Sequence, residues 1–328
     1  MTRTGRYHLD MSFLSLLLAL LIEQARPLVR GNWVHRTVQA WAWWISQTLD
    51  AGHPRLAWTT WSLAVGVPAV IATMVHWSLM AIFGWPVAMI WSVAVLYATL
   101  GFRQFSHHFT DIRDALDVGD ERLARELLAE WQHVEVGSLP RSELLRHVIE
   151  HSVLSAHRHV FGVLTWFSIL AALGFGPAGA VIYRMSEMVS RAWQASPKPN
   201  RGWVSDTLQA AALKAWHRVD WFPARLTAVA FAVVGNFEEA IDCWRNHAQR
   251  FPDDNDGVVL SATAGALNVR LGGEALRTDT EDNSQDSEST PGRTPEIAHL
   301  SSVVGLVWRT VVLWMVLLAL LTLARLLG

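Results

Sequence analysis

Long apolar stretches alternate with charged ones along this chain. Two of them, residues 63–83 and 85–101, are separated only by a turn at Gly84, which predicts a transmembrane helical hairpin. Residues 303–327 predict a further span, with Arg309 and Arg325 near its ends. The stretch 12–22 has only 11 residues, against about 20 for a full span. We interpret it as an uncleaved anchor, and the pattern leaves open whether it crosses the bilayer.

A fourth apolar region, residues 160–183, is interrupted by Leu-Gly-Phe-Gly-Pro-Ala-Gly at 173–179. One interpretation is a broken helical hairpin that enters the bilayer and returns to the same side, lining an enclosed cavity. The alternative is one continuous, kinked span. The sequence favours the broken hairpin. A shorter apolar piece, residues 222–235, begins at a proline.

The intervening segments have a different character. Residues 102–159 hold seven arginines among ten acidic residues, with apolar positions at helical spacing. Gly119 is expected to end one helix there, and Pro140 suits the first turn of another. Residues 277–296 are polar and acidic without apolar periodicity, and predict a disordered linker.

The predicted fold is therefore an all-α polytopic membrane protein with a transmembrane hairpin, a broken re-entrant hairpin, a C-terminal span and a cytoplasmic helical subdomain. The turn at 84–86 and the break at 173–179 contain no arginine, so the charged segments are expected to face the cytoplasm of a bacterial inner membrane. The predicted regions are residues 1–101 (membrane), 102–159 (helical subdomain), 160–276 (broken hairpin and helical extension), 277–296 (linker) and 297–328 (C-terminal span).

Composition supports a bilayer as the principal partner. Hydrophobic residues make up 51% of the chain and charged residues 17%, below the roughly 25% usual in soluble domains. Many of the 18 tryptophans flank apolar runs, as in an interfacial aromatic belt. A net charge of −2 gives no reason to expect nucleic-acid binding. The single cysteine, Cys243, excludes disulfides within the chain and thiolate metal clusters.

One short motif suggests metal chemistry. His147-Val-Ile-Glu150-His151 matches H-x-x-E-H, in which two histidines on one helical face ligate zinc and the glutamate activates water. The motif has only three fixed residues in a chain with 14 histidines, and no other segment offers a distinctive third ligand. Helical ion pairs, Glu143 with His147 and Arg146 with Glu150, explain the same residues. We therefore predict no metal site.

Three collinear motifs resemble the integral-membrane family of the cobalamin-biosynthesis proteins CobD/CbiB and the β-lactamase-regulation protein AmpE. They are Ala115-Leu116-x-x-Gly119-Asp120-x-x-x-Ala124-Arg125-x-x-Leu128, then Gly176-Pro-Ala-Gly-Ala180-x-x-Tyr183-Arg184, and Pro223-Ala-Arg225-Leu-Thr-Ala228. The resemblance covers roughly residues 12–250, with a terminal span as in AmpE. For the cobalamin branch it implies ATP-dependent amide ligation of an aminopropanol unit to a corrinoid carboxylate, with ATP and Mg²⁺ required.

This chain departs from the family's signature E-S-L-A-E-N-T-S-D-G at residues 150–159. Only Glu150 is retained; Leu154, Ser155 and Arg158 replace a glutamate, an asparagine and an aspartate. Further along, Glu187 and Ser190 replace an asparagine and an aspartate. The family's paired aspartates are replaced here by Trp216 and His217, and a nearby asparagine of the family is replaced by Asp220.

The departures favour an AmpE-like protein without ligase catalysis or cofactor, with a sensing or regulatory role in the envelope of the β-lactamase-regulation type. Asp220-Trp221-x-Pro223-x-Arg225-Leu226 and Arg158 are similar to the AmpE branch. The alternative is a divergent adenosylcobinamide-phosphate synthase, which would use ATP and Mg²⁺.

The candidate ligand site combines charged residues beside the membrane segments. Arg225 either holds an anionic or corrinoid ligand in a polar cavity or pairs with an acidic neighbour. Glu150 and Glu187 are expected to partner arginines rather than act as bases, and Arg184 is either a headgroup contact or a second cavity cation. The full set is Arg225, Glu150, Arg158, Glu187, Arg184 and Asp220.

Overall fold

The structure, a computed structural model, describes residues 4–25, 33–100, 102–132, 139–194, 203–274 and 288–327. These residues are almost entirely helical and contain no β-strand, only an isolated bridge between Val269 and Arg293. The helices are α1 (Thr4–Ala25), α2 (Trp33–Leu49), α3 (Pro54–Phe83), α4 (Trp85–Thr99), α5 (Phe102–Asp117), α6 (Glu121–Gln132), α7 (Arg141–Ala156), α8 (Gly162–Ala172), α9 (Ala178–Gln194), α10 (Asp206–Val234), α11 (Phe237–His247), α12 (Asp254–Leu267) and α13 (Ile297–Leu327).

Two described helices are long and apolar enough to cross a membrane: α3, and residues Ile297–Ala324 of α13. Shorter apolar helical segments are Phe13–Gln24 and Trp85–Thr99. The turn between α3 and α4 is the single residue Gly84, whose φ of 82° is readily adopted only without a side chain. Pro86 then lies in the first turn of α4, where its missing N–H leaves no bond unmade. The predicted turn at Gly84 is thus present, and it joins a helix long enough to span a membrane to a shorter apolar one.

The chain divides into two compact units. The first comprises residues 1–101, 158–223 and 315–328, and the second comprises residues 102–157 and 224–314. Two boundaries between the units, at 101/102 and 157/158, fall within two residues of the predicted boundaries at 101/102 and 159/160. The predicted region 160–276 is instead shared between the units, because α10 runs without interruption through Pro223.

In the first unit, α8 and α9 form a closely packed pair joined by a break at residues 173–177. Gly174 and Gly176 both have positive φ there, so the chain reverses instead of continuing as a kinked helix. At Gly179 an added Cβ would lie 1.9 Å from the carbonyl oxygen of Trp166, so only glycine permits this approach. The tip is fastened to α3: Trp77 Nε1 donates to the Gly174 carbonyl at 2.8 Å and Thr73 Oγ1 to that of Phe175 at 3.4 Å.

The other end of this hairpin packs at a different level of α3. Met185, Val189 and Trp193 of α9 form a buried cluster with Ala57, Ala64 and Val65 of α3, and the cluster also includes residues of α2 and α10. Partly buried tryptophans border this cluster, namely Trp41, Trp43, Trp58 and Trp61. Aromatic residues therefore collect at the base of the hairpin, while its tip lies near the middle of the apolar part of α3.

The second unit contains two helix pairs and α7. Between α5 and α6, Gly119 adopts a φ of 82° and the Asp120 carboxylate accepts from Leu123 N at 2.9 Å, so the predicted helix end is correct. Between α11 and α12, Gly265 meets the Glu239 carbonyl so closely that an added Cβ would lie 2.2 Å from its oxygen. The helix α7 begins directly after Pro140. Residues Leu144–Ile149 of this helix are all buried.

The predicted disordered linker lies only partly within the description, since residues 277–287 fall outside it. Residues 288–293 are paired with the segment that follows α12: Arg270 N donates to the Arg293 carbonyl at 2.8 Å and Thr290 N to that of Leu271 at 2.7 Å. Thr290 is buried. Disorder is therefore wrong for this part of the segment, because its backbone groups bond to a neighbouring strand-like stretch.

Candidate functional site

Glu187 lies at the centre of a charged cluster in the first unit. Its side chain is only 4% exposed; Oε2 accepts from Arg184 Nη1 at 2.9 Å, and Oε1 lies 2.7 Å from Arg191 Nε. Burial raises the pKa of this carboxyl, but the positive charges of Arg191, Arg184, His159 and Arg158 outweigh burial and lower it to about 2. Glu187 is therefore ionised at neutral pH and is a weak base.

A second buried pair adjoins this cluster. The hydroxyl of Tyr183 donates to Asp220 Oδ1 at 2.7 Å, and both residues are at most 1% exposed. Tyr183 also interacts electrostatically with Arg158 and Glu187, and its ring lies 5.2 Å from that of Trp216. The structure thus brings together four of the predicted residues, Arg158, Arg184, Glu187 and Asp220.

Local backbone geometry explains how this cluster forms. Residues His157–Phe161 form a π-helical turn between α7 and α8, a wide turn that is frequent at functional sites. Arg158 and His159 lie in that turn. One residue beyond it, Gly162 faces the ring of Tyr183, and an added Cβ would lie 2.0 Å from Tyr183 Cζ. A glycine at 162 therefore makes room for the tyrosine that holds Asp220.

Glu150 and Arg225 belong to the second unit. Arg146, 3% exposed, donates through Nη1 to both oxygens of Glu150 at 3.1 Å and through Nε to Glu143 at 2.7 Å. The predicted Arg146–Glu150 pair is present, and Glu143 also bonds to Arg146. Glu150 Oε1 also accepts from Gly272 N at 2.7 Å, and Arg146 Nη2 donates to the Glu274 carbonyl at 2.6 Å. This network fastens the segment after α12 to α7.

The histidines of the H-x-x-E-H motif have separate partners. His147 Nε2 lies 3.0 Å from Arg146 Nη2, while the ring of His151 packs edge-on against Trp131 at 4.4 Å. Burial and then the charge of Arg146 lower the pKa of His147 to about 3. A guanidinium so close to the first histidine opposes a divalent cation there.

Arg225 has a neutral partner within its unit. Its Nη1 donates to Asn255 Oδ1 at 3.0 Å, and Asn255 itself is 2% exposed. Beside it, Thr227 Oγ1 lies 3.0 Å from Nδ1 of the fully buried His157. Arg225 is therefore held by an amide oxygen that the sequence did not single out.

The carboxylates near these sites do not suit Mg²⁺. Both oxygens of Glu187 face arginines, both oxygens of Glu150 accept from Arg146, and Asp220 accepts from Tyr183. In the described part of the chain, no three His, Cys, Asp or Glu side chains converge as a metal site requires. Burial raises the pKa of Glu150, although Arg146 and the Gly272 N–H oppose that rise.

Sequence reasoning missed Tyr183 and Arg191 as members of the cluster. Tyr183 was visible only as part of a motif, and its partner Asp220 is 37 residues away. Arg191 could have been found, because it follows Glu187 at the i,i+4 spacing that favours ion pairs on a helix.

Comparison with known proteins gives a consistent result. The sequence model of the CobD/Cbib protein family matches residues 14–307. "Cobalamin biosynthesis protein CobD" of Stutzerimonas stutzeri is 29% identical over 262 residues, covering 79% of this chain and 80% of that protein. The protein of the same name from Chromobacterium violaceum is 33% identical over 229 residues, covering 68% and 67%. One from Mycobacterium tuberculosis is 32% identical over 196 residues, covering 58% of each. No solved structure matches the chain.

These names bear on the two interpretations left by the sequence. Each of the relatives above is named for cobalamin biosynthesis. The AmpE-like regulatory interpretation gains no support from them, and the alternative agrees with them better. Local similarities such as Asp220-Trp221-x-Pro223 resemble the AmpE branch, but they cover far fewer positions than the family match over residues 14–307.

Proposed function

Because the chain belongs to the CobD/Cbib protein family, we propose that it acts in cobalamin biosynthesis as a membrane protein that handles a corrinoid precursor. The match across residues 14–307, together with relatives named for that pathway, carries this proposal. The reaction implied by the resemblance is amide-bond formation between an aminopropanol unit and a carboxylate of adenosylcobyric acid, with ATP consumed. The protein would then be an enzyme.

The geometry of the first unit supports a retained site with altered chemistry. Arg158, Glu187 and Asp220 stand where the resemblance expects an aspartate, an asparagine and another asparagine, and all three belong to one electrostatic cluster. The ring of Trp216, at an expected aspartate, lies 5.2 Å from that of Tyr183 in the same cluster. Because these substituted residues lie together in one cluster, they favour a binding site with changed chemistry over a site that has lost its function.

We also propose that α8 and α9 form a re-entrant hairpin. From Gly162 to Ala172, α8 has 11 residues and a length of about 17 Å, roughly half of a 30 Å hydrocarbon core. Its tip is bonded to Thr73 and Trp77 of the apolar helix α3. The side chains of α3 thereby donate hydrogen bonds to backbone carbonyls at the tip, and lipid tails could not provide such bonds. On this arrangement the charged cluster lies at the cytoplasmic interface of the bacterial inner membrane.

Direct assay of the coupling reaction tests the proposed function. Full-length protein in detergent is supplied with adenosylcobyric acid, aminopropanol or aminopropanol phosphate, ATP and Mg²⁺, and the amide product is measured by mass spectrometry. We expect product from one of the two amines, and a loss of at least tenfold in Tyr183→Phe, which removes the donor to Asp220. The matched control is Tyr97→Phe, a tyrosine on α4 outside the cluster. A folded protein that makes no amide with either amine would contradict the proposal.

A further inference from the structure

Cations outnumber carboxylates at the base of the α8–α9 hairpin. Arg158, Arg184 and Arg191 are gathered with Glu187 and Asp220, and His159 adds a titratable ring. Exposure rises outward, from 4% for the Glu187 side chain through 14% for Arg184 to 57% for Arg191. The cluster is therefore buried on one side and reachable from the surface on the other.

One carboxylate serves two arginines in this cluster. Glu187 forms ion pairs with both Arg184 and Arg191, and these arginines, together with His159 and Arg158, lower the pKa of its carboxyl although burial raises it. Concentrating positive charge in a partly buried place costs free energy, and an incoming anion offsets that cost. The planar guanidinium is the side chain best matched to phosphate oxygens.

The position of the cluster agrees with a charged ligand group at the membrane interface. Met185 and Val189, on the same helix as Arg184 and Glu187, pack against the part of α3 that carries Trp58 and Trp61. The guanidinium of Arg218 lies 5.1 Å from the ring centre of Trp58. Tryptophan and arginine together are typical of the depth at which lipid headgroups begin.

Taking these together, we propose that the cluster binds a phosphate group directly through Arg184, Arg191 and Arg158, without a bridging divalent cation. The identity of the substrate that brings the phosphate rests on the proposed function, but the binding itself does not. A free phosphate-bearing substrate and a phospholipid headgroup share this chemistry. The carboxylates that would have to hold a bridging metal are already occupied by arginines and by Tyr183.

Binding of pyrophosphate tests the proposal. Full-length protein in nanodiscs of phosphatidylcholine is titrated calorimetrically with pyrophosphate, once in EDTA and once in Mg²⁺. We expect binding in EDTA, weakened at least tenfold in Arg184→Gln. The matched control is Arg122→Gln, an 84% exposed arginine in the second unit. Arg191→Gln, at a side chain that is 57% exposed, is the second variant, chosen because it should disturb folding less, and it should weaken binding several-fold. Absence of binding in EDTA, dependence on Mg²⁺, or unchanged affinity in both cluster variants would overturn the proposal.

A second arm identifies the source of the phosphate. Phosphatidylglycerol is added to the nanodiscs, and co-purified lipid is counted by native mass spectrometry. Pyrophosphate displaced by this lipid, with less lipid retained by Arg184→Gln, indicates a headgroup; undisturbed pyrophosphate binding indicates a free substrate. Pyrophosphate binding in EDTA without amide formation would contradict only the proposed function, and amide formation without such binding would contradict only this inference.

Discussion

Replacing Gly179 by alanine should separate α8 from α9, because the new methyl has nowhere to go. Its Cβ would lie 1.9 Å from the Trp166 carbonyl oxygen and 2.4 Å from the carbonyl carbon, both backbone atoms that cannot rotate away. Overpacking of this kind costs about 1–3 kcal/mol. Because the methyl meets rigid backbone, its cost should lie near the upper end of that range. Alanine also favours the helix by up to about 1 kcal/mol relative to glycine, and this gain reduces the net loss.

The expected net loss is therefore about 2 kcal/mol. For a unit of 150–250 residues that corresponds to a fall in Tm of about 4–8 °C. Thermal unfolding of detergent-solubilised protein can be followed by the emission of its 18 tryptophans. The matched control is Gly66→Ala on α3, where an added Cβ meets no atom within 4 Å, and this variant should be neutral or slightly stabilised. Equal Tm values for the two variants would refute the close helix packing from which the hairpin is argued.

Three further predictions concern the charged groups and the cysteine. Arg146→Met should cost about 3–5 kcal/mol in chemical unfolding, since it leaves the carboxylate of Glu150, only 15% exposed, without its guanidinium; an effect as small as that of Arg122→Met would count against the network. His147 has a folded pKa of about 3, below its ordinary 6.5, so it stabilises the fold above pH 6.5 and loses that contribution as the pH falls towards 3. His147→Gln should therefore flatten the pH dependence of Tm in that window, and an unchanged slope would contradict the assignment. Burial raises the pKa of Cys243 to about 11, so native protein should react with maleimide at pH 7.5 at least a hundredfold more slowly than unfolded protein, as measured by mass spectrometry; similar rates would contradict its burial.

The sequence predicted those parts of the fold that depend on local patterns. The apolar stretch before Gly84, the turn at Gly119 and the break around Gly174 and Gly176 all depend on residues within a few positions of each other. Glycine and proline act there through local backbone geometry, so their effects can be predicted without knowing which distant residues are in contact. The uninterrupted course of α10 through Pro223 was not predictable in this way, because neighbouring packing can maintain a helix across a proline.

The candidate site was predicted as a set of charges but not as an arrangement. Glu187 with Arg184 and Glu150 with Arg146 follow from helical spacing, and the structure contains both pairs. The Tyr183–Asp220 bond and the Arg225–Asn255 bond join different helices, so no periodicity reveals them. The departures at Arg158 and Glu187 indicate loss of function from the sequence alone, because the sequence does not show that both residues lie in one cluster.

Growth of a cobalamin-requiring bacterium tests the central claim most directly. A strain that lacks its own CobD relative is given cobyric acid as the corrinoid source, with this chain expressed in its membrane. We predict that the chain restores cobalamin-dependent growth and that Tyr183→Phe restores it poorly, whereas Tyr97→Phe matches the unmodified protein. Failure of the unmodified protein to restore growth, at a membrane level equal to that of a complementing relative, would contradict a role in cobalamin biosynthesis.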